Sequence, residues 1–527
     1  MTADDPARHD GTKRRLFFSF SAQTLAIGVR IAIQLLMVPI FLHGWDTALY
    51  QDWLLIFSAT GFLSILDLGM QVYFSNALLA DWSRQDMAAY RRHFGTALAL
   101  YAVILSVSAG ILSLAALLAP WSRWLGTTAM TPQSVVATLC LLTAASLILI
   151  PAGLLTALYR ARGEYGLSTA SGAIAEACRG GAMALIVLCG GSPADAGASY
   201  LLVAILFVIL VLWDQRRRYG AQSFAPTLPD KAEFREALTQ SMRYLVAGSA
   251  TPILQNAPIL LLGRLGTEPG AVVAFAVFRT LTGFARQIVT QLSHAVGGEL
   301  GHRHSRADIQ GTATLMSHAG RLVSGAGGLL CGVALVLGKP FLAAWTQGKV
   351  GYDPWLCGIF LATILICAPA QVAYMVFHYT NRPTILLLSG GLQIVITLLL
   401  CALLIGPLGA AGAALACAAA ETVTVGLLLP LNATRSLDLP VAVYLRTCLA
   451  AAGACSVLSA GIAWGLEALI PLRGYPGVAL IGVIWCILIA GPAFRLLLST
   501  PQRDWVLDKV RRTSKHGLRR GKSGGDR

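Results

Sequence analysis

Ionisable side chains set inside long apolar runs are the residues of this sequence most able to do chemistry. Arg279, Thr282, Arg286, Thr290 and Ser293 follow one another at steps of 3, 4, 4 and 3, which puts all five on one face of a helix. A second polar series, Thr60, Ser64, Asp67, Gln71 and Ser75, runs at steps of 4, 3, 4 and 4. Gln23, Arg30 and Gln34 share a third face. A guanidinium at the bilayer centre costs about 2.5–3.5 kcal/mol on insertion scales, so such groups face protein or water rather than lipid. Arg30, Arg279 and Arg286 against the single Asp67 would make a cationic chamber. Guanidinium is planar, permanently charged and matched to bidentate phosphate contact, so the ligand expected there is a phosphate or pyrophosphate. The same arginines would alternatively tie helices together through acids or helix-end carbonyls. Glu176 and Arg179, three residues apart, read as a local self-neutralising pair. Asp67 and Glu421 have no sequence-local partner. They, with Glu176, are the candidates for loading a coupling ion, or else are buried neutral acids.

The elements that position these groups follow from composition. The chain has 527 residues, of which 56% are hydrophobic and only 12% charged; the charged share is about half the roughly 25% of soluble domains. Mean hydropathy is +0.67. Too few charges remain to cover a surface in water, so the expectation is an all-α polytopic membrane protein. About 20 apolar residues span a bilayer core. The apolar runs give fourteen helices, at about 16–42, 53–79, 95–119, 134–158, 167–189, 198–213, 241–263, 271–298, 319–338, 354–378, 384–406, 409–431, 441–466 and 475–498. With the N-terminus inside, most Lys and Arg fall in the inside segments and few in the outside loops, so both termini are expected in the cytoplasm. The net charge of +15 is thereby read as topology and not as a nucleic-acid surface. Lys13-Arg14-Arg15 precedes an apolar stretch too long for a signal peptide and without an A-x-A site, hence a retained helix.

The longest loop, about 214–240, divides the chain. The expected layout is an N-tail (1–15), an N-lobe (16–238), a C-lobe (239–436), two extra helices (437–499) and a basic tail (500–527) that anchors at anionic lipid. Sliding the sequence by 222 residues lays Thr60-Gly61-Phe62 on Thr282-Gly283-Phe284 and Ser83-Arg84-x-Asp86 on Ser305-Arg306-x-Asp308. Parallel repeats of this kind typify transporters with a central site, and the two polar stripes then fall on equivalent helices lining one cavity between six-helix lobes.

The remaining features are less specific. The 11 cysteines lie mostly in apolar runs without a C-x-x-C pair and read as small apolar residues. Pro39, Pro151, Pro252, Pro258, Pro369, Pro430 and Pro492 interrupt helices. The small-residue run from Gly406 to Ala416 permits close helix approach. His302-Arg303-His304 reads as a solvated basic loop, not a metal site. There is no H-E-x-x-H, no P-loop at Gly338-Lys339-Pro340, no D-x-D and no long outside loop, so no metal, cofactor or catalytic platform is expected.

Pro39-Ile40-Phe41-Leu42-His43-Gly44, Tyr50, Trp53 and Leu66-Asp67-Leu68-Gly69-Met70 resemble the start of polysaccharide exporters, the O-antigen (Wzx-type) flippases of the multidrug/oligosaccharidyl-lipid/polysaccharide (MOP) superfamily. The small-residue run is also similar to that superfamily. The resemblance covers roughly 16–500. It implies two lobes alternating between inward and outward opening, in the bacterial inner membrane. It also implies export of undecaprenyl-pyrophosphate-linked oligosaccharide, an O-antigen or exopolysaccharide repeat unit, alongside a polysaccharide polymerase and chain-length machinery. Related lipid II flippases have essential arginines in helices one and eight, which Arg30 and either Arg279 or Arg286 would match. Those flippases carry a basic residue near helix two, where this chain has Asp67. The departure favours the oligosaccharide-lipid branch over lipid II. Two other readings are a cation-coupled multidrug antiporter, which would want a more acidic chamber, and an integral-membrane glycan polymerase, against which the repeat and the lack of a catalytic loop both speak.

Overall fold

The computed structural model describes residues 6–220, 230–380, 383–470, 474–497 and 503. Helices account for nearly all of them, with no strand among the described residues. In chain order they are α1 (Pro6–Gly44), α2 (Thr47–Gly61), α3 (Met70–Ser83), α4 (Met87–Leu118), α5 (Trp121–Leu125), α6 (Pro132–Ala161), α7 (Tyr165–Leu188), α8 (Pro193–Tyr219), α9 (Lys231–Leu265), α10 (Ala271–Ser305), α11 (Ile309–Trp345), α12 (Pro354–Tyr379), α13 (Pro383–Glu421), α14 (Leu428–Ser436), α15 (Val441–Leu469) and α16 (Gly474–Leu497). A 3₁₀ stretch, Phe62–Asp67, follows α2, and a π-helical stretch, Thr422–Leu427, joins α13 to α14.

Among the described residues twelve segments are long and apolar enough to cross a membrane, and the chain is a multi-pass membrane protein. One of them, Thr384–Ser436, has 53 residues. At 1.5 Å per residue that is about 80 Å, well over twice the roughly 30 Å of hydrocarbon, so it makes two crossings. Gly409, at φ 53° and ψ −129°, bends the chain inside it. α9, interrupted by Pro252 and Pro258 and charged at its start, is a further long helix outside the twelve. With these two additions the architecture is compatible with the fourteen crossings expected. The basic tail expected at 500–527 lies outside the described residues apart from Arg503.

The helix expected at 53–79 is not continuous. Leu68 and Gly69 both take left-handed backbone, with φ of 50° and 75°. Two such residues in succession turn the chain, and only glycine does so without strain. The preceding 3₁₀ turns hold 3.0 residues each, not 3.6. The polar series from Thr60 to Ser75 therefore does not form one helical face, since the spacing argument assumed a uniform α-helix.

The chain divides into two compact units: Met1–Thr280 with Gly390–Cys417, and Leu281–Ser389 with Ala418–Arg527. In the first, α3 packs on α4 and α6, α1 lies along α7, and α2 lies against α9. Met70, Phe74, Leu78, Tyr90, Phe94, Tyr101, Leu154 and Leu158 belong to a buried core of this unit. In the second, α11 packs along α15 and α12, with α16 against both α11 and α15. The α11–α15 contact runs through small residues. A Cβ on Gly328 would strike the Ala452 backbone, and one on Gly320 would strike the Tyr444 ring. Without a hydrophobic drive between helices in lipid, such close backbone approach is what holds them.

Candidate functional site

In the first unit, Arg30 lies near the middle of the apolar span Ser21–Gly44. Its side chain is 59% exposed, and its Nε stands 3.6 Å from Oε1 of Glu176 on α7. Close packing of the two helices brings the groups together, with Gly180 leaving room for Ile33. Glu176 thus reaches across to α1 and not along its own helix to Arg179. The Arg179 guanidinium instead lies 5.5 Å from the Tyr200 ring centre. The local Glu176–Arg179 pair read from spacing is corrected accordingly, because helix packing offers Glu176 a cation that sequence distance hides. Gln23 is exposed and Gln34 half-buried on the same helix.

Asp67 ends the 3₁₀ stretch at the break in the second crossing. Its Oδ1 accepts the Tyr101 hydroxyl at 2.7 Å, and both carboxylate oxygens are 3.3 Å from the Gln71 backbone N–H. The carboxylate so caps the first turn of α3, where N–H groups have no helical partner. Two carboxamides flank the break: Asn256 of α9 lies on Gly61, and Gln71 lies on Gly153, each where a Cβ would displace it. The hydroxyls of Thr60 and Ser64 turn back onto the carbonyls of Phe57 and Gly61 at 2.9 and 2.8 Å.

Arg279 donates from Nη1 to the Gln255 carbonyl at 2.7 Å. That carbonyl is next to Leu254, whose own carbonyl would bond the N–H that Pro258 lacks. Arg279 also lies 5.3 Å from the Phe275 ring centre.

In the second unit, Arg286 of α10 is ion-paired with Glu421, the last residue of α13. The Arg286 side chain is 39% exposed and that of Glu421 is 12% exposed. The π-helical stretch begins immediately after Glu421, and single π turns of this kind often mark functional positions. Ser389 donates to the Thr424 carbonyl at 2.8 Å, satisfying one group of the irregular turn. Thr282 and Ser293 are buried on α10, and Ser293 bonds the Val289 carbonyl.

Each of the three arginines therefore already has an internal acceptor, two of them carboxylates. A cavity of about 220 Å³ in the first unit is lined mainly by apolar groups, among them Leu63, Leu112, Trp121, Leu139 and Leu147; of the predicted stripes only Thr60 reaches its wall. Among the described residues no group of three or more His, Cys, Asp or Glu converges as a metal site.

Tyr101, Gln255, Asn256 and Ser389 escape the sequence reading. Tyr101 sits in an apolar run, where pattern assigns it to the core. Asp52 escapes it too: fully buried, its carboxylate gathers the backbone N–H groups of Thr128, Ala129 and Met130 at 2.8–3.2 Å, fixing the loop before α6.

No family model matches the chain, and no curated protein matches it in sequence. Solved structures match in fold. The lipid II flippase MurJ, in an inward closed conformation, aligns with a TM-score of 0.67 at 11% identity, over 92% of this chain and 100% of that one. An inward-facing MATE multidrug resistance transporter of the MOP superfamily gives a TM-score of 0.63 at 12% identity, over 79% and 98% of the two chains. A MOP superfamily transporter from Pyrococcus furiosus, described as having a binding pocket of reverse polarity, gives 0.51 at 12% identity over 80% and 94%. The two compact helical units, the broken crossing at Asp67 and the arginine-bearing apolar helices are thus carried on the fold of the MOP superfamily transporters.

Proposed function

We propose that the chain is a flippase that carries undecaprenyl-pyrophosphate-linked oligosaccharide, an O-antigen or exopolysaccharide repeat unit, from the inner to the outer leaflet of the bacterial inner membrane by alternating access. Arg30, Arg279 and Arg286 hold the pyrophosphate. Gln23, Gln34, Thr282, Ser64 and Gln71 offer hydrogen bonds to the headgroup, and the polyprenyl tail stays in lipid. Asp67, Glu421 and Glu176 are the candidates for ion coupling. Both termini are cytoplasmic in this reading, and a polymerase with its chain-length machinery takes the product.

The observation that carries the reading is Arg30. A guanidinium near the middle of an apolar span, more than half exposed, is too costly to leave against acyl chains and is suited to a polar, anionic cargo. The fold likeness to a lipid II flippase supports a pyrophosphate-linked lipid as the class of cargo, and lipid II itself is the second member of that class. A cation-coupled multidrug antiporter on the same fold draws support from the MATE likeness and from Asp67, but three arginines in apolar helices oppose a cationic drug. The test is complementation of a flippase-deficient strain. Arg30→Ala, Arg279→Ala and Arg286→Ala, each confirmed as inserted, should fail to restore surface glycan. Normal glycan display with all three would refute the reading.

A further inference from the structure

We propose, resting on the anionic-cargo reading above, that Glu421 is an internal stand-in for the substrate's anion at Arg286, so that cargo binding in the second unit is obligately coupled to protonation of Glu421. The geometry carries this. Arg286 projects from the middle of an apolar helix, and an uncompensated cation there is expensive. The carboxylate ion-paired with it, that of Glu421, comes from a different helix. Glu421 is far less exposed than its partner, 12% against 39%. An incoming phosphate can therefore approach the guanidinium from its open side, while the carboxylate has little access to water once displaced. A carboxylate that loses its cation in such surroundings takes up a proton instead of remaining charged.

Among the described residues, the contacts of Glu421 bring in no cation besides Arg286. α10 contributes Arg286. α12 contributes Cys367, whose sulfur lies 3.3 Å from where a Cβ on Gly426 would be. On its own segment the neighbours are Thr422 and Thr424, and Thr424 is engaged with the Ala420 carbonyl. Thiols and hydroxyls cannot neutralise a displaced carboxylate, so the proton must come from solvent. The regular α-helical ladder ends at Glu421, where the π-helical stretch begins, an irregularity frequent at functional sites.

The consequence is linkage. One proton is taken up for each anion bound at Arg286, and by reciprocity cargo affinity rises as pH falls. Arg30 and Glu176 form a parallel pair in the first unit, at 3.6 Å and with both side chains more exposed.

The experiment uses the full chain purified in lipid nanodiscs. The probe is geranyl pyrophosphoryl N-acetylglucosamine, a pyrophosphate diester that lacks the second titratable phosphate proton and so keeps its charge across the range tested. Affinity and proton uptake are measured from about pH 5.5 to 8.5. Wild type should bind more tightly as pH falls, by up to about tenfold per pH unit for a single linked proton, with proton uptake on binding. Glu421→Gln, which keeps the shape of the side chain, should bind as tightly at high pH as wild type does at low pH and should lose one proton of uptake. Wild-type affinity that ignores pH, or a Glu421→Gln variant that keeps the wild-type slope and uptake, overturns the inference while leaving the anionic-cargo reading intact. Failure of wild type and variant alike to bind at any pH overturns both. Binding by the variant alone supports the stand-in directly.

Discussion

The Arg286–Glu421 pair gives a prediction whose size follows from its asymmetric exposure. Arg286→Ala leaves a carboxylate that is 12% exposed with no cation, whereas Glu421→Gln leaves a guanidinium that is 39% exposed and can still reach a polar medium. Removing one partner of a buried pair typically costs about 3–5 kcal/mol, because the survivor is stranded. For Arg286→Ala the low end, about 3 kcal/mol, applies. For Glu421→Gln the greater exposure of Arg286 and its long stem, which can carry the charge toward a polar medium, reduce the cost to about 1 kcal/mol. The double variant has no stranded charge, so it should be destabilised by about 2 kcal/mol, less than Arg286→Ala alone. The implied coupling of about 2 kcal/mol lies within the range for directly paired residues, and is equivalent to about 30-fold in affinity for any ligand that must break the pair. Thermal unfolding of the detergent-solubilised protein, followed by fluorescence of its 11 tryptophans, supplies the assay. A chain of this size is not a two-state system, so the reading is the order of the midpoints. Wild type should be highest, then Glu421→Gln, then the double variant, then Arg286→Ala. If adding Glu421→Gln to Arg286→Ala lowers the midpoint as much as it lowers that of wild type, the two side chains act independently and the pairing argument is refuted.

Two further predictions concern positions away from the arginines. Asp52→Ala strips the acceptor from three consecutive backbone N–H groups, of which that of Met130 is buried and costs about 1–3 kcal/mol unsatisfied; the midpoint should fall below that of Asp52→Asn, which keeps one acceptor oxygen, and an Asp52→Ala protein as stable as wild type would show the loop to be held otherwise. Gly328→Val drives a branched side chain into the Ala452 backbone and should cost about 1–3 kcal/mol by overpacking, lowering the thermal midpoint, while Gly358→Ala, whose Cβ meets nothing within 4 Å, should leave it unchanged; equal midpoints for the two would contradict the close α11–α15 approach.

The broken second crossing joins two separate signals. The Leu66-Asp67-Leu68-Gly69 segment, on which the family resemblance chiefly rests, is the place where the helix stops, turns through two left-handed residues and restarts under an aspartate cap. Irregular backbone at membrane depth is tolerated only where it is buried in protein or lines a wet cavity. Here Tyr101, Asn256 and Gln71 surround it.

By itself the sequence determined that this is an all-helical membrane protein, roughly how many times it crosses, and that arginines and acids stand inside its apolar runs. Those properties are sums over local composition, since hydrocarbon forces every lipid-exposed backbone group into a helix and makes each embedded charge conspicuous. Only the tertiary structure decided which charge meets which. Arg286 and Glu421 are 135 residues apart, Asp67 and Tyr101 are 34 apart, and Glu176 passes over the nearby Arg179 for a cation on α1. Spacing fixes the face of a regular helix, but not the neighbour against which that face packs. The left-handed turn at Leu68 was equally hidden, because leucine ordinarily avoids the positive φ it adopts here.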